Sequence, residues 1–234
     1  MMLLALIVIV CAGGYFVLPY LVTVVMRRRF RAARRIERAV SLTFDDGPDP
    51  VATPEILRAL SQSGARATFF LIGKNVEAYP ELTSQIIAGG HEVGEHGHSH
   101  LNPFLTGPVT YLRDLRRGGR ILASRSEAGR EPLFRPPWGK LNAAALLYVI
   151  LHRRRVILWD MDPKDYATGS PGAIAEFVAG RIRPGQILLL HDGRQTKRGP
   201  PNGTPEAVRM ILSEINRRGL SAVTVSEILM RKPR

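Results

Sequence analysis

Cysteine is nearly absent: Cys11 is the only one among 234 residues. No intrachain disulfide can form, and a lone thiol does not report the redox compartment. Charge is missing from the first 26 residues. That segment has no basic start, and Val10 rather than a small residue precedes Cys11. A cleaved leader or a lipoprotein signal is therefore the weaker reading. At helical rise the segment would reach about 39 Å, enough to cross a bilayer with some tilt. Gly13, Gly14 and Pro19 are tolerated in such a helix. Internal repeats and nucleic-acid recognition motifs are also lacking. Acidic residues are scarce, 20 against 33 Lys and Arg, for a net charge of +13. Arg27, Arg28, Arg29, Arg31, Arg34, Arg35 and Arg38, opposed only by Glu37, supply six of those charges. The excess thus sits largely at a membrane boundary, where anionic lipids, not nucleic acid, are the expected partner. The positive-inside rule puts these arginines, and the domain behind them, in the cytoplasm.

Beyond this segment, short apolar runs alternate with longer amphipathic stretches. Runs 39–44, 67–72, 92–95, 133–136, 156–161, 187–191 and 221–225 read as strands. Stretches 54–63, 81–89, 109–126, 142–152, 171–181 and 205–218 read as helices. Pro54 and Pro171 fall near first turns, and Gly219 follows Arg217-Arg218 as a stop. Such alternation predicts an α/β fold with a parallel sheet. The domain organisation is a transmembrane helix over 1–26, a basic juxtamembrane segment over 27–38, one catalytic domain over 39–229 and a basic tail over 230–234. The Pro-Gly-Asn-rich stretch 193–204, with Arg194, Lys197 and Arg198, is expected as a loop at the site's rim.

Two constellations carry chemistry. Thr43-Phe44-Asp45-Asp46-Gly47-Pro48 places two carboxylates where an apolar run meets a Gly-Pro turn. Adjacent strand residues point to opposite sides, and carboxylates are seldom buried unless paired or metal-bound. A surface turn is the plain alternative. Four of the six histidines lie between His91 and His100. His96 and His100, four apart, could be aimed at one point by a helical turn or a tight loop. Imidazole is the commonest protein metal ligand, and Asp with two His leaves open positions on a zinc-like ion. His91 reads as the start of a strand, and His152 as a solvated helix end.

Five ordered motifs over about residues 38 to 229 make the chain resemble the NodB-homology polysaccharide deacetylases, carbohydrate esterase family four. They are Thr43 to Pro48, His96-Gly97-His98-Ser99-His100, Arg135-Pro136-Pro137-Trp138, Asp162-Pro163-Lys164-Asp165-Tyr166 and Leu189-Leu190-His191. The resemblance implies a distorted, incomplete (β/α) barrel with its site at the C-terminal strand ends. It implies a divalent metal on Asp46, His96 and His100, zinc first, with cobalt, nickel or manganese also suited. It implies Asp45 as general base beside Arg135, and His191 as general acid paired with Asp165. Trp138 would offer a backbone N–H to the oxyanion, since Pro136 and Pro137 have none. Leu189, with Trp138 and Trp159, would line a slot for the acetyl methyl. Three departures stand out: Glu95 for the family's Asn, Gly97 for its Thr or Ser, and Tyr166 for its Trp. Glu95 could perturb the metal, Gly97 removes a hydroxyl that could orient the loop, and Tyr166 changes the groove wall.

The expected activity is removal of N-acetyl groups from an N-acetylhexosamine glycan. Peptidoglycan or a chitin-like polymer suits a domain outside the cell, where cell-wall enzymes of the family usually work. A lipid-linked sugar suits one inside. O-acetyl ester or formamide hydrolysis, or an inactive membrane-bound carbohydrate-binding protein, are the competing readings.

Overall fold

The computed structural model describes residues 13–32, 38–125, 132–193 and 203–230. A π-helical turn, Gly13–Val17, leads into α1, Leu18–Ala32. The helix thus continues through the proposed boundary at residue 26 into the first arginines. Among the described residues, no helix is long and apolar enough to cross a membrane. Residues 1–12 of the expected span lie outside the described residues, as do 33–37, most of the rim loop (194–202) and the tail 231–234.

The domain is built on seven parallel strands: β1 Ala39–Asp45, β2 Thr68–Leu71, β3 Glu92–Glu95, β4 Leu133–Phe134, β5 Arg155–Val156, β6 Ile187–His191 and β7 Ser221–Ala222. The sheet runs β5-β4-β3-β2-β1-β6, with β7 beside the start of β1. Past β5, Met161 bridges to Leu188 of β6, so the two ends of the sheet meet. The result is a distorted, incomplete barrel, as expected. β1 is the hub and is buried along its whole length. Its register sets Asp45 beside His191 on one side and Phe70 on the other.

Among the described residues, eight α-helices cover the barrel: α2 Ala52–Gln62, α3 Gly73–Ala78, α4 Pro80–Ala88, α5 Pro108–Ala123, α6 Ala143–Leu151, α7 Pro171–Ala179, α8 Thr204–Arg217 and α9 Val225–Met230. Their apolar faces close on the strands. Val40, Leu42, Phe44, Leu188 and Leu190 of β1 and β6 meet Ile56, Leu60, Ile174, Val208 and Ile211 in the main core. A second core under α5 and α6 holds Tyr111, Leu115, Phe134 and Tyr148.

Three stretches differ from the periodicity. Of the apolar run 156–161 only Val156 lies in a strand and Met161 makes a single bridge; between them the Ile157 carbonyl accepts from the Arg135 side chain (Nε–O 3.2 Å). The run 221–225 stops at Ala222, and α9 begins at Val225. Thr224 and Glu227 form a capping box there: Glu227 accepts from the Thr224 N–H (3.0 Å) and the Thr224 hydroxyl from the Glu227 N–H (3.3 Å). The third difference is α3, a single short helix too brief to show a period.

Candidate active site

Four C-terminal strand ends converge. Asp45 ends β1, His96 follows β3, Arg135 follows β4 and His191 ends β6. Strand alternation alone would send Asp45 and Asp46 to opposite sides. Asp46, however, lies beyond the strand with a left-handed backbone (φ 76°). That turn brings both carboxylates to one imidazole: His96 Nε2 is 3.6 Å from Asp45 Oδ2 and 3.5 Å from Asp46 Oδ1. The turn is held closely. Asn75 of α3 donates to the Asp46 carbonyl at 2.7 Å. A Cβ on Gly47 would fall 2.2 Å from the Asp192 carboxylate, so only glycine fits.

The histidines are brought together by a tight loop, not a helix. Gly97 (φ 74°) and His100 (φ 53°) are both left-handed. His100 Nε2 lies 3.5 Å from Asp46 Oδ1, and the two rings are 4.9 Å apart. Asp114 of α5 fixes the loop by accepting the N–H of His98 (3.0 Å) and of Ser99 (3.0 Å). It supplies the anchoring expected of a hydroxyl at position 97. Gly118 lets α5 approach, since a Cβ there would lie 2.6 Å from the Gly97 carbonyl carbon. His98 is buried beside Gly73 of α3, with Glu77 3.8 Å away.

The ligand atoms of Asp46, His96 and His100 lie within 4.8 Å of one another. Separations of 3.5 Å are too long for hydrogen bonds yet close to the edge, about 3.3 Å, of a tetrahedron of ligands 2.0 Å from one ion. The donor chemistry fits as well. The Arg135 carbonyl lies 2.8 Å from His96 Nδ1. A carbonyl only accepts, so the proton sits on Nδ1 and the Nε2 lone pair faces Asp46. Burial, with the positive charge of neighbours, pushes His96 down to about 3 and His100 to about 2. Both rings are therefore neutral, the state a metal requires.

Two ion pairs flank this triad. Arg135, wholly buried, donates from one guanidinium nitrogen to Asp45 Oδ1 (2.7 Å) and to the Thr43 hydroxyl (2.7 Å). Phe70 lies under its guanidinium at 4.1 Å and Trp159 at 5.5 Å. On the other side, Asp165 accepts from His191 twice, from Nδ1 (2.8 Å) and from the backbone N–H (2.8 Å). Thr204 holds the Asp165 carboxylate at 3.1 Å. Burial alone would lower the His191 pKa. The hydrogen bond and charge of Asp165, then the charges of Asp46 and Asp45, raise it to about 9.

The aromatic walls stand on either side. The half-exposed Trp138 (φ 62°) sits 5.6 Å from the His100 ring. Tyr166 is half exposed and meets His191 edge-on at 5.2 Å. Leu189 is buried in β6, two residues before His191 and so on the same face. Glu95 departs from expectation. It does not face the triad: Tyr148 donates to it at 2.6 Å and Arg154 pairs with it at 2.8 Å, on the helix side of β3. Burial pushes it up to about 7 against the opposing pull of Arg154 and Tyr148.

Sequence reasoning missed Asn75, Asp114, Thr204 and Asp192. Asp192 is fully buried against the Asp46–Gly47 turn, and Thr53 donates to it at 2.7 Å. Burial, with the charges of Asp46, Asp45 and Asp49, lifts it to about 7 despite Thr53. Only Asp192, next to His191, carried a local signal; the others lie in helices or loops of ordinary composition.

The parallel barrel carries at its strand ends an Asp-His-His cluster that could hold a metal ion, with two buried ion pairs beside it. The chain belongs to the polysaccharide deacetylase family, which matches residues 32–155. It is 36% identical over 199 residues to a peptidoglycan-N-acetylglucosamine deacetylase of Bacillus cereus, covering 84% of this chain and 90% of that one. It is 36% identical to a chitooligosaccharide deacetylase of Bradyrhizobium, covering 67% and 71%. A family 4 carbohydrate esterase from Streptomyces lividans, solved in complex with acetate, superposes with a TM-score of 0.69 at 31% identity, covering 80% and 92%. These relatives are named deacetylases or carbohydrate esterases, hydrolases of acetylated sugars, and the chain is an enzyme of that family.

Proposed function

We propose that this chain is a membrane-anchored, metal-dependent deacetylase of an N-acetylhexosamine glycan. The observation that carries the reading is the pair of buried contacts, Arg135–Asp45 and Asp165–His191, on either side of the Asp46-His96-His100 cluster. An inactive carbohydrate-binding protein would have no need of either. A divalent ion on the cluster, zinc by the Asp-His-His chemistry, would supply a Lewis acid beside the scissile carbonyl. Asp45, oriented by Arg135, which Thr43 helps to hold, takes a proton from the attacking water. His191 presents Nε2 to the leaving nitrogen, because Asp165 occupies Nδ1, and donates the proton that amine needs. Trp138 and Tyr166 flank a sugar ring from opposite sides, with the Trp138 N–H offered to the developing oxyanion. Leu189 closes the acetyl slot.

The charge-free segment 1–26 supports a transmembrane anchor, and the arginines behind it support a cytoplasmic domain in contact with anionic lipids. There a lipid-linked N-acetylhexosamine is the fitting substrate; on the outer face it would be peptidoglycan, as for the B. cereus relative. The test is acetate release from N-acetylglucosamine oligomers by the full chain in detergent, with added zinc or cobalt, beside an Asp45→Ala variant. Metal-dependent release that vanishes in the variant is expected. No release from folded, metal-loaded protein, with soluble and lipid-linked substrates alike, would overturn the reading.

A further inference from the structure

A second site lies on the flank of the barrel, away from the strand ends. Arg113, Arg116 and Arg120 recur at helical spacing along α5, and all three are exposed. Their face adjoins α6. Together with Arg154, Tyr148 and His152 they line a cleft of about 460 Å³. Several arginines elsewhere on this surface are paired with carboxylates: Arg58 with Glu55, Arg66 with Glu227, Arg217 and Arg218 with Glu214. Arg117, on the next face of α5, pairs with Glu77 at 3.1 Å. By contrast, Arg113, Arg116 and Arg120 have no carboxylate partner among the described residues. Glu95 approaches the cleft at Gly119, and Arg154 and Tyr148 already occupy it. Burial and the charges of Arg154 and Arg116 hold His152 below its usual pKa, a sign of the local positive field.

The surroundings of the cleft are apolar and exposed. Leu147, Ile150 and Leu151 of α6 and Val109 of α5 point to solvent. The helix α1 contacts α6 and adds exposed Leu18, Tyr20, Leu21 and Val25. Unpaired guanidinium groups recognise phosphate oxygens bidentately, and apolar side chains beside a basic face suit the headgroup boundary of a bilayer. We propose that the cleft between α5 and α6 binds the phosphate of an anionic phospholipid and so seats this flank of the domain on the membrane. The site is separate from the arginines at 27–38 and independent of the deacetylase reading. Its consequence is an orientation: the strand-end site is held at a set angle to the bilayer.

The test uses the full chain in lipid nanodiscs of phosphatidylcholine with increasing phosphatidylglycerol, read by hydrogen exchange of α5 and α6. Exchange there should slow as phosphatidylglycerol is added. Each arginine at an anionic surface is worth about fivefold in affinity. A triple Arg113→Gln, Arg116→Gln, Arg120→Gln variant should therefore need at least about five times the mole fraction for half-maximal protection, with acetate release from soluble oligomers unchanged. Arg117→Gln, which alters a paired arginine of the same helix, should match the wild type. Protection that is absent, or identical in the triple variant, overturns the proposal. An equal loss in Arg117→Gln would reduce the effect to unspecific charge and overturn it too. Inorganic phosphate that protects wild type in neutral nanodiscs as well as the lipid does would reassign the cleft to free phosphate.

Discussion

Replacing Asp165 by Asn keeps the shape of the site and changes only charge and proton inventory. In the native arrangement Asp165 accepts from Nδ1 of His191, from its backbone N–H and from Thr204. The Asn carbonyl can keep the last two, which turns its NH2 toward Nδ1. That nitrogen must then accept, so the imidazolium, with a proton on both nitrogens, is disfavoured. Burial, which lowers the His191 pKa, is no longer opposed by the Asp165 bond and charge that carry it to about 9. A fall from about 9 to 6.5 or lower corresponds to about 3 kcal/mol. At pH 8.5 the protonated fraction would drop from about three-quarters to about one-hundredth. The assay is acetate release against pH for both proteins loaded with the same metal. A bound cation offsets Asp45 and Asp46 equally in both, so the separation of the alkaline limbs is the observable. The Asp165→Asn limb should lie at least about 2 pH units lower. The metal-free protein gives a second reading. A pKa raised on folding stabilises fully below the unfolded value of about 6.5, and that contribution is lost as pH rises through about 9. Denaturant midpoints of the wild type should decline across that window, and those of the variant should decline less. Coincident alkaline limbs, or a rate loss independent of pH, would refute the acid role of His191.

Three further outcomes follow from the same geometry. Asp114→Ala removes the acceptor for the His98 and Ser99 N–H groups, and metal affinity measured by competition should fall by about 10–100-fold with the fold intact. Arg135→Met leaves the Asp45 carboxylate buried without its partner and should cost about 3–5 kcal/mol in urea unfolding; adding Asp45→Asn should restore part of it. Gly118→Ala puts a methyl 2.6 Å from the Gly97 carbonyl carbon, and should cost about 1–3 kcal/mol in stability while weakening metal binding. An unchanged midpoint and affinity in that last variant would show that α5 does not brace the histidine loop.

Motif 43–48 and the histidine cluster stood out because carboxylates and imidazoles gather where an apolar run stops, whereas Arg135, Asp165 and His191 were singled out by the family resemblance. The parallel α/β class was legible because alternating periods record which faces are buried. What the sequence by itself determined was this list of parts and their order. Only the tertiary structure decided how they meet. The left-handed turns at Asp46, Gly97 and His100 depend on neighbours such as Asn75, Asp114, Gly118 and Asp192, which lie far along the chain or in segments without a period. The side to which Glu95 turns was likewise settled by Tyr148 and Arg154, more than 50 residues away. The cleft of arginines on α5, which have no carboxylate partner among the described residues, also needs the fold, because which groups face a charge depends on how the helices pack.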